Sequence, residues 1–305
     1  MDKILVTGGA GFIGASLVRS LTVQGHTVRI LDNFSSGSLD HLRDVRPKPK
    51  MIEGSVVDAE AALRGARGTD AIIHLAAQAG VGPSIENPRS DFDINVTGTF
   101  NVLDAARRSG TPRVIVASSG AVLGGARGTL REDVAPSVLS PYGASKAFSE
   151  VAAQAFTNAF DVNSIAFRFS NVYGPFCSRK RSVIPIYLRA ALDDQPFVVY
   201  GNGRQRRDFI HVDDICAAVI AALGSDVAGT FHLASGTTTT VNELTRVVAT
   251  VAGVPRRVDR RPPRAGDGMG AEVDASSARR RLHWRPRVDL REGIERTLEW
   301  LRTNA

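Results

Sequence analysis

The first half of the chain alternates short apolar runs with stretches in which apolar residues recur at helical spacing. The runs rich in Val and Ile are KILVT, TVRILD, AIIHLA, PRVIVAS and VNSIAFRF. The longest amphipathic patterns between them predict helices over about 91–108 and 141–160. Nearly continuous apolar strands are typical of a parallel sheet that helices cover on both faces. The pattern therefore predicts an α/β fold with a doubly wound parallel sheet.

The regular alternation weakens after residue 172. Turn-rich sequences, GNGRQ, ASGTT and RPPRAGDG, separate shorter helical patterns there, which predict helices over 182–192, 213–223, 241–252 and 290–302. These elements suit a smaller C-terminal α/β lobe beside the edge of the sheet. The predicted division is 1–172 and 173–305, with a soft boundary because we expect the chain to cross between the lobes more than once.

Length and composition indicate a soluble intracellular protein. With 305 residues, 43% of them hydrophobic, the chain can bury a substantial core. It has no run of about 18 apolar residues and no secretion leader at MDKILVTGGAG. We therefore expect a cytoplasmic location and no membrane partner. Cys177 and Cys216 belong to no C-x-x-C or Cys/His cluster, so neither a disulfide framework nor a metal site is expected.

The net charge of +7 raises the question of an anionic partner. Basic residues concentrate in 256–264 (RRVDRRPPR) and 279–287 (RRRLHWRPR), without the interleaved aromatic residues of a single-strand binding surface. We interpret them as solvated surface and expect no nucleic-acid partner. A non-catalytic NAD-sensing or nucleic-acid-binding protein stays open as an alternative.

A glycine-rich sequence, TGGAGFIG, follows the first strand run and opens the first helical pattern. Gly8 permits a tight turn, Gly11 lets a pyrophosphate approach the backbone, and Gly14 allows close packing of helix on strand. Phe12 and Ile13 lie between these glycines. The helix N-terminus can then bind phosphate through its N–H groups. This context predicts a dinucleotide-binding site of the Rossmann type.

Asp32 closes the second strand run, with Asn33 next to it. An acidic side chain there accepts hydrogen bonds from the adenosine ribose hydroxyls and repels a 2′-phosphate, which favours NAD over NADP. The alternative interpretation is that both residues merely begin a turn in LDNFSSG.

Tyr142 and Lys146 lie one helical turn apart in SPYGASKAFSE, so a helix places both side chains on one face. A phenol titrates near pH 10, and we expect the Lys146 ammonium and the positive nicotinamide ring together to lower the pKa of Tyr142 so that it can act as a base. Ser119 ends the PRVIVASS run and can bind the same substrate oxygen. These three residues predict hydride exchange between NAD and an alcohol carbon.

The ordered motifs resemble the extended short-chain dehydrogenase/reductase family, and within it the NAD-dependent nucleotide-sugar epimerase/dehydratase group. Besides TGGAGFIG and YGASK, the similar segments are HLAAQAGV, DINVTGTFNVL, RFSNVYGP, VYGNGRQRRDFIHVDD, RAGDGMGAEVDASSARRRLHW and EGIERTLEWL. The resemblance extends over nearly the whole chain.

The resemblance implies further binding residues. On the cofactor side they are Val57, Asp58 (at the adenine), Leu75, Ala76, Ala77, Asn95 (supporting Lys146) and Phe169. On the substrate side, besides Ser119 and Tyr142, they are Asn171, Val183, Arg207 and Arg264 (at the diphosphate) and Asp267 (at the nucleoside ribose). A homodimer through the helices near 91–108 and 141–160 is also implied.

The resemblance leaves a choice of reaction. Dehydratases of this group carry an Asp-Glu pair where this chain has Gly120 and Ala121, so we favour C4 epimerisation of a UDP-sugar through a transient 4-ketone. A dehydratase or decarboxylase stays the alternative. The sugar is open among glucose or galactose, N-acetyl and uronate forms, and the basic loop Cys177–Arg181 favours a uronate if it reaches the sugar.

Overall fold

The computed structural model describes residues 1–177, 182–263 and 270–304. The strands are β1 Lys3–Thr7, β2 Thr27–Asp32, β3 Lys50–Glu53, β4 Ala71–His74, β5 Arg113–Ser119, β6 Asn163–Phe169, β7 Asn171–Tyr173, β8 Phe197–Tyr200, β9 Arg206–His211, β10 Gly229–Leu233, β11 Thr238–Thr240 and β12 Val258–Arg261. The helices are α1 Phe12–Val23, α2 Ala59–Ala66, α3 Val81–Glu86, α4 Pro88–Asp91, α5 Gly98–Ser109, α6 Pro141–Ala159, α7 Val183–Leu192, α8 Val212–Leu223, α9 Val241–Ala252, α10 Ser276–Arg281 and α11 Leu290–Asn304. Two 3₁₀ turns span Leu39–Leu42 and Gly120–Leu123. In the part of the chain described, no helix is long and apolar enough to cross a membrane.

The predicted doubly wound sheet is confirmed. Its strands pair in parallel in the order β10-β6-β5-β4-β1-β2-β3. One apolar core joins the sheet to α1 and α8, and a second joins its other face to α2, α5 and α6. All seven carboxyl ends therefore meet at one edge, where α/β proteins bind their ligands.

The C-terminal part builds two small sheets, β11-β9-β7 and β12-β8. They share a third core, formed with helices α7, α9 and α11. The chain returns to the main sheet after residue 172, because β10 pairs with β6 and α8 packs on one face of that sheet. The division at residue 172 stays a prediction.

The single helix expected over 91–108 is interrupted. A π-helical segment, Phe92–Thr97, lies between α4 and α5. Such segments insert an extra residue into a helix and occur often at functional sites. Here the segment contains Asn95, which is buried and bonds to the loop after β4. Apolar periodicity does not reveal this insertion, since the helical pattern resumes on its far side.

Candidate active site

The glycine loop at the carboxyl end of β1 leaves no room for side chains. Gly8 has φ +71°, and a Cβ there would lie 2.7 Å from the Ala76 backbone nitrogen. A Cβ on Gly14 would lie 2.1 Å from the Gly8 carbonyl oxygen. Gly11 is the N-cap residue of α1 and offers no side chain to cap it. The loop and helix end therefore fit a pyrophosphate, which helix N-termini bind through backbone N–H groups.

Asp32 lies beside this loop and is buried. Its carboxylate accepts hydrogen bonds from Ala10 N at 2.9 Å and Phe34 N at 2.8 Å. The side chain thus begins the turn after β2, as the alternative interpretation expected, and it also anchors the glycine loop to that turn. The contact of Asp32 with a ribose stays a prediction.

The other predicted cofactor residues lie along the same edge. Leu75, Ala76 and Ala77 follow β4, Val57 and Asp58 follow β3, Asn33 follows β2, Phe12 and Ile13 open α1, and Phe169 ends β6. Asp58 caps α2 by accepting hydrogen bonds from two backbone N–H groups. Phe169 is the register partner of Ser119 on the neighbouring strand. The fold therefore brings the cofactor set and the catalytic set to one edge, while the contacts themselves stay predictions.

Ser119 is the last residue of β5, and its hydroxyl accepts a hydrogen bond from Ala121 N at 3.2 Å. Tyr142 and Lys146 lie in the first two turns of α6. This helix begins with Ser140 as its cap and Pro141 at its first turn. Gly143 lets the helix approach the Ser119 turn, because a Cβ there would lie 2.7 Å from the Ala121 oxygen. The predicted trio is thus brought together.

The Lys146 side chain runs beneath the tyrosine. Its Nζ lies 5.9 Å from the centroid of the Tyr142 ring and donates to the Ala117 carbonyl at 2.9 Å. Lys146 is only 4% exposed. A buried ammonium is thereby fixed on the sheet and faces the phenol ring.

The protein's own groups raise the pKa of Tyr142 to about 12, because burial disfavours the phenolate. A hydrogen bond from Ser119 opposes this effect, and the charge of Asp91 adds to it. Burial also lowers the pKa of Lys146 to about 8, although Asp91 and Glu150 favour its charged form. The expected lowering of the phenol pKa depends on the positive nicotinamide ring as well as on Lys146 and stays a prediction.

Asn95 organises the surroundings of Lys146 rather than bonding to it. Its side chain accepts from Gln78 N at 2.9 Å and donates to Gln78 O at 3.0 Å. It also reaches Asp91 Oδ1 at 2.8 Å and Ser145 Oγ at 3.2 Å. The predicted support for the lysine is thus indirect, through the residue that precedes it.

Near Lys146, sequence reasoning missed the buried charged residues Asp91, Glu150 and Arg168. Arg168 forms a bidentate ion pair with Glu150 at 2.8 Å for both bonds. One signal was present, because Arg168 is a charged residue inside an apolar strand run. Glu150 also lies one turn beyond Lys146 on the helix, where its carboxylate can face the same side.

The substrate residues lie on the smaller sheets or at their edge. Asn171 is on β7 and donates to the Asp208 carbonyl on β9 at 3.1 Å, and Val183 begins α7. Arg207 is on β9, and its guanidinium donates to the Arg206 carbonyl at 2.8 Å. Arg264 and Asp267 lie outside the described residues, as does 178–181 of the basic loop.

A family model described as the NAD dependent epimerase/dehydratase family matches residues 4–234. The chain belongs to this family. The predicted family and its cofactor, NAD, are thereby confirmed, and the glycine loop gives the family's cofactor requirement a structural basis.

Members of the family with different activities resemble the chain closely. UDP-glucose 4-epimerase of Mycolicibacterium smegmatis is 35% identical over 314 residues, which cover 99% of each chain. dTDP-glucose 4,6-dehydratase of an Actinoplanes species is 34% identical over 316 residues, covering 99% of this chain and 98% of that one. The crystal structure of UDP-glucose 4-epimerase from Thermotoga maritima with UDP-glucose has a TM-score of 0.93 at 31% identity, with 99% of both chains covered.

Proposed function

We propose that this enzyme interconverts the C4 epimers of a UDP-sugar with NAD as cofactor, through a transient 4-ketone. The observation that carries the proposal is the assembly of Ser119, Tyr142 and Lys146 beside a turn that holds Gly120 and Ala121. This arrangement offers a base for an alcohol proton. It offers no carboxylate at the two positions that follow Ser119. The identity to UDP-glucose 4-epimerases supports the same conclusion.

Each side chain has a definable task. The Tyr142 oxygen takes the proton of the sugar 4-hydroxyl, and the Ser119 hydroxyl orients the oxygen of that sugar hydroxyl. Lys146, buried below the ring, supplies positive charge that favours the phenolate and holds the tyrosine side chain. Bound NAD supplies the hydride acceptor. The 4-ketone rotates within the pocket and takes the hydride back on its opposite face, so no net oxidation results.

A dehydratase is the second candidate, because a dTDP-glucose 4,6-dehydratase is almost as similar. Elimination of water from the sugar needs an acid and a base near the ketone. Gly120 and Ala121 cannot provide either group. The residue types therefore favour epimerisation.

The test is a panel of UDP-glucose, UDP-galactose, and their N-acetyl and uronate forms, analysed by NMR and mass spectrometry. We expect at least one sugar to convert to its C4 epimer with unchanged mass and no accumulation of NADH. A product that has lost water or carbon dioxide would assign the alternative. If no sugar is converted and an oligonucleotide binds tightly with a strong salt dependence, a non-catalytic role would be supported.

We further propose that the enzyme is a cytoplasmic homodimer. Large apolar side chains on and beside α5 and α6 are exposed, among them Phe100 at 49%, Val151 at 62% and Phe160 at 44%. Phe156 joins two of them, with ring centroids 6.0 Å from Phe100 and 5.1 Å from Phe160. A second copy would bury this surface in a four-helix contact. Cys177 and Cys216 are both buried thiols, which suits a reducing compartment.

Phe100→Asp should turn the dimer into a monomer, because it places a charge in the centre of the aromatic surface. Sedimentation velocity measures the change. Val23→Asp is the matched control, since Val23 is 87% exposed at the end of α1 and away from this surface. A monomeric wild-type protein, or an equal effect of both substitutions, would contradict the proposal.

A further inference from the structure

Asp91 is a carboxylate with 1% exposure at the end of α4. Its Oδ1 accepts a hydrogen bond from the Asn95 amide at 2.8 Å. The same amide lies 3.2 Å from Ser145 Oγ, on the residue that precedes Lys146 in α6. The carboxylate is thus tied to the catalytic helix at the level of the lysine.

The immediate partners of these two buried charges are neutral. Asp91 bonds to an amide, and the Lys146 ammonium bonds to the Ala117 carbonyl. Neutral partners satisfy hydrogen bonds but do not offset charge, and buried charge is unfavourable unless an opposite charge compensates it. Asp91 and Lys146 carry opposite charges and can compensate each other across the Asn95 bridge.

The other titratable groups near Lys146 are less suited to be its counter-charge. Glu150, one turn along α6, is already neutralised by Arg168 on β6 through two hydrogen bonds. His74 on β4 is neutral, because burial and the nearby ammonium lower its pKa to about 3. Asp93, in the π-helical segment, pairs with Arg89 at the surface. Glu150 also favours the charged form of Lys146, but Arg168 already compensates its charge, so Asp91 is the nearby carboxylate whose hydrogen-bond partner is neutral.

We propose that Asp91 is the counter-charge of Lys146 and a positioning residue that sets the pH range of proton transfer by Tyr142. The inference rests on the proposed function and deepens it. The negative charge raises the pKa of Lys146, which keeps the ammonium protonated although it is buried. It also raises the pKa of Tyr142, so the phenolate forms only at higher pH. One buried carboxylate thus raises the pKa values of both groups.

The decisive experiment titrates Lys146 in the NAD-bound protein by NMR of ¹³Cε-labelled lysine. The Lys146 signal is assigned by its loss in Lys146→Met. In Asp91→Asn its pKa should fall by about half a unit or more, because the ammonium loses its counter-charge. Asp93→Asn makes the same change on the surface side of the neighbouring turn and should leave the pKa as in wild type. Equal pKa values in all three proteins would overturn the proposal.

The pH profile of kcat provides the second measurement. Activity requires the phenolate, so its acid limb follows the pKa of Tyr142 as lowered by the positive nicotinamide ring of bound NAD, and its alkaline limb follows loss of the Lys146 proton. Both limbs should move to lower pH in Asp91→Asn and stay in place in Asp93→Asn. A uniform loss of activity without movement would mean a structural role only. Turnover by the wild-type enzyme is measured first, and its absence would count against the proposed function. The NMR titration does not need turnover, so it tests the role of Asp91 separately.

Asp91→Ser covers the case in which Asp91→Asn does not fold. Serine keeps an oxygen toward the Asn95 amide but carries no charge. It should show the same downward shift of the Lys146 pKa. Failure of both variants to fold, with Asp93→Asn folded, would show that the carboxylate is required for structure and would overturn the assigned role.

Discussion

Tyr142→Phe should lower kcat about a thousandfold while NAD binding is retained. The phenyl ring still packs over Lys146, whose Nζ lies 5.9 Å from the ring centroid. What the variant loses is the oxygen that bonds to Ser119 and that we propose takes the alcohol proton. Single-turnover absorbance at the NADH band measures the chemical step, and cofactor fluorescence titration measures binding.

Tyr187→Phe is the matched control for this prediction. Its hydroxyl donates to the Val198 carbonyl at 2.9 Å in the C-terminal part of the chain, so the variant also loses a buried hydrogen bond. We expect a stability loss of about 1 kcal/mol and normal turnover. If Tyr142→Phe retained near-wild-type activity, the proton would have to leave through another group, and the assignment of the base would be wrong.

The proximity of Ser119, Tyr142 and Lys146 could be predicted because its information is local. Tyr142 and Lys146 share one helix turn, and Ser119 ends a strand run that apolar alternation marks clearly. The sheet could be predicted for the same reason, since each strand is recognised by its own composition.

Other features depend on neighbours that are distant in sequence. Asp91 looks like a surface residue of an amphipathic helix, and only the packing of α4 against α6 shows that it is buried. The strand β10 returns to the main sheet beside β6, a pairing that no local pattern encodes. The charge spacing between Tyr142 and Lys146 is visible in the sequence, whereas the burial that raises the pKa of Tyr142 depends on packing and is not.

The buried ion pair between Arg168 and Glu150 should have the largest effect on stability. Its side chains are 4% and 7% exposed, and Ser118 on β5 also donates to the Glu150 carboxylate. Arg168→Met removes one partner and leaves a buried carboxylate without its counter-charge. We expect a loss of about 3–5 kcal/mol in the free energy of unfolding, measured by urea denaturation.

The double variant Arg168→Met/Glu150→Gln separates the charge from the packing. Both charges are then absent, so much of the loss should be recovered, because no buried charge is left without its opposite charge. Arg131→Met is the surface control, since the Arg131 and Asp133 side chains are 59% and 68% exposed, and it should change stability by less than about 1 kcal/mol. If Arg168→Met were as mild as Arg131→Met, the pair would not hold the catalytic helix on the sheet. The helix position would then depend on apolar packing and on the Lys146 contact with β5.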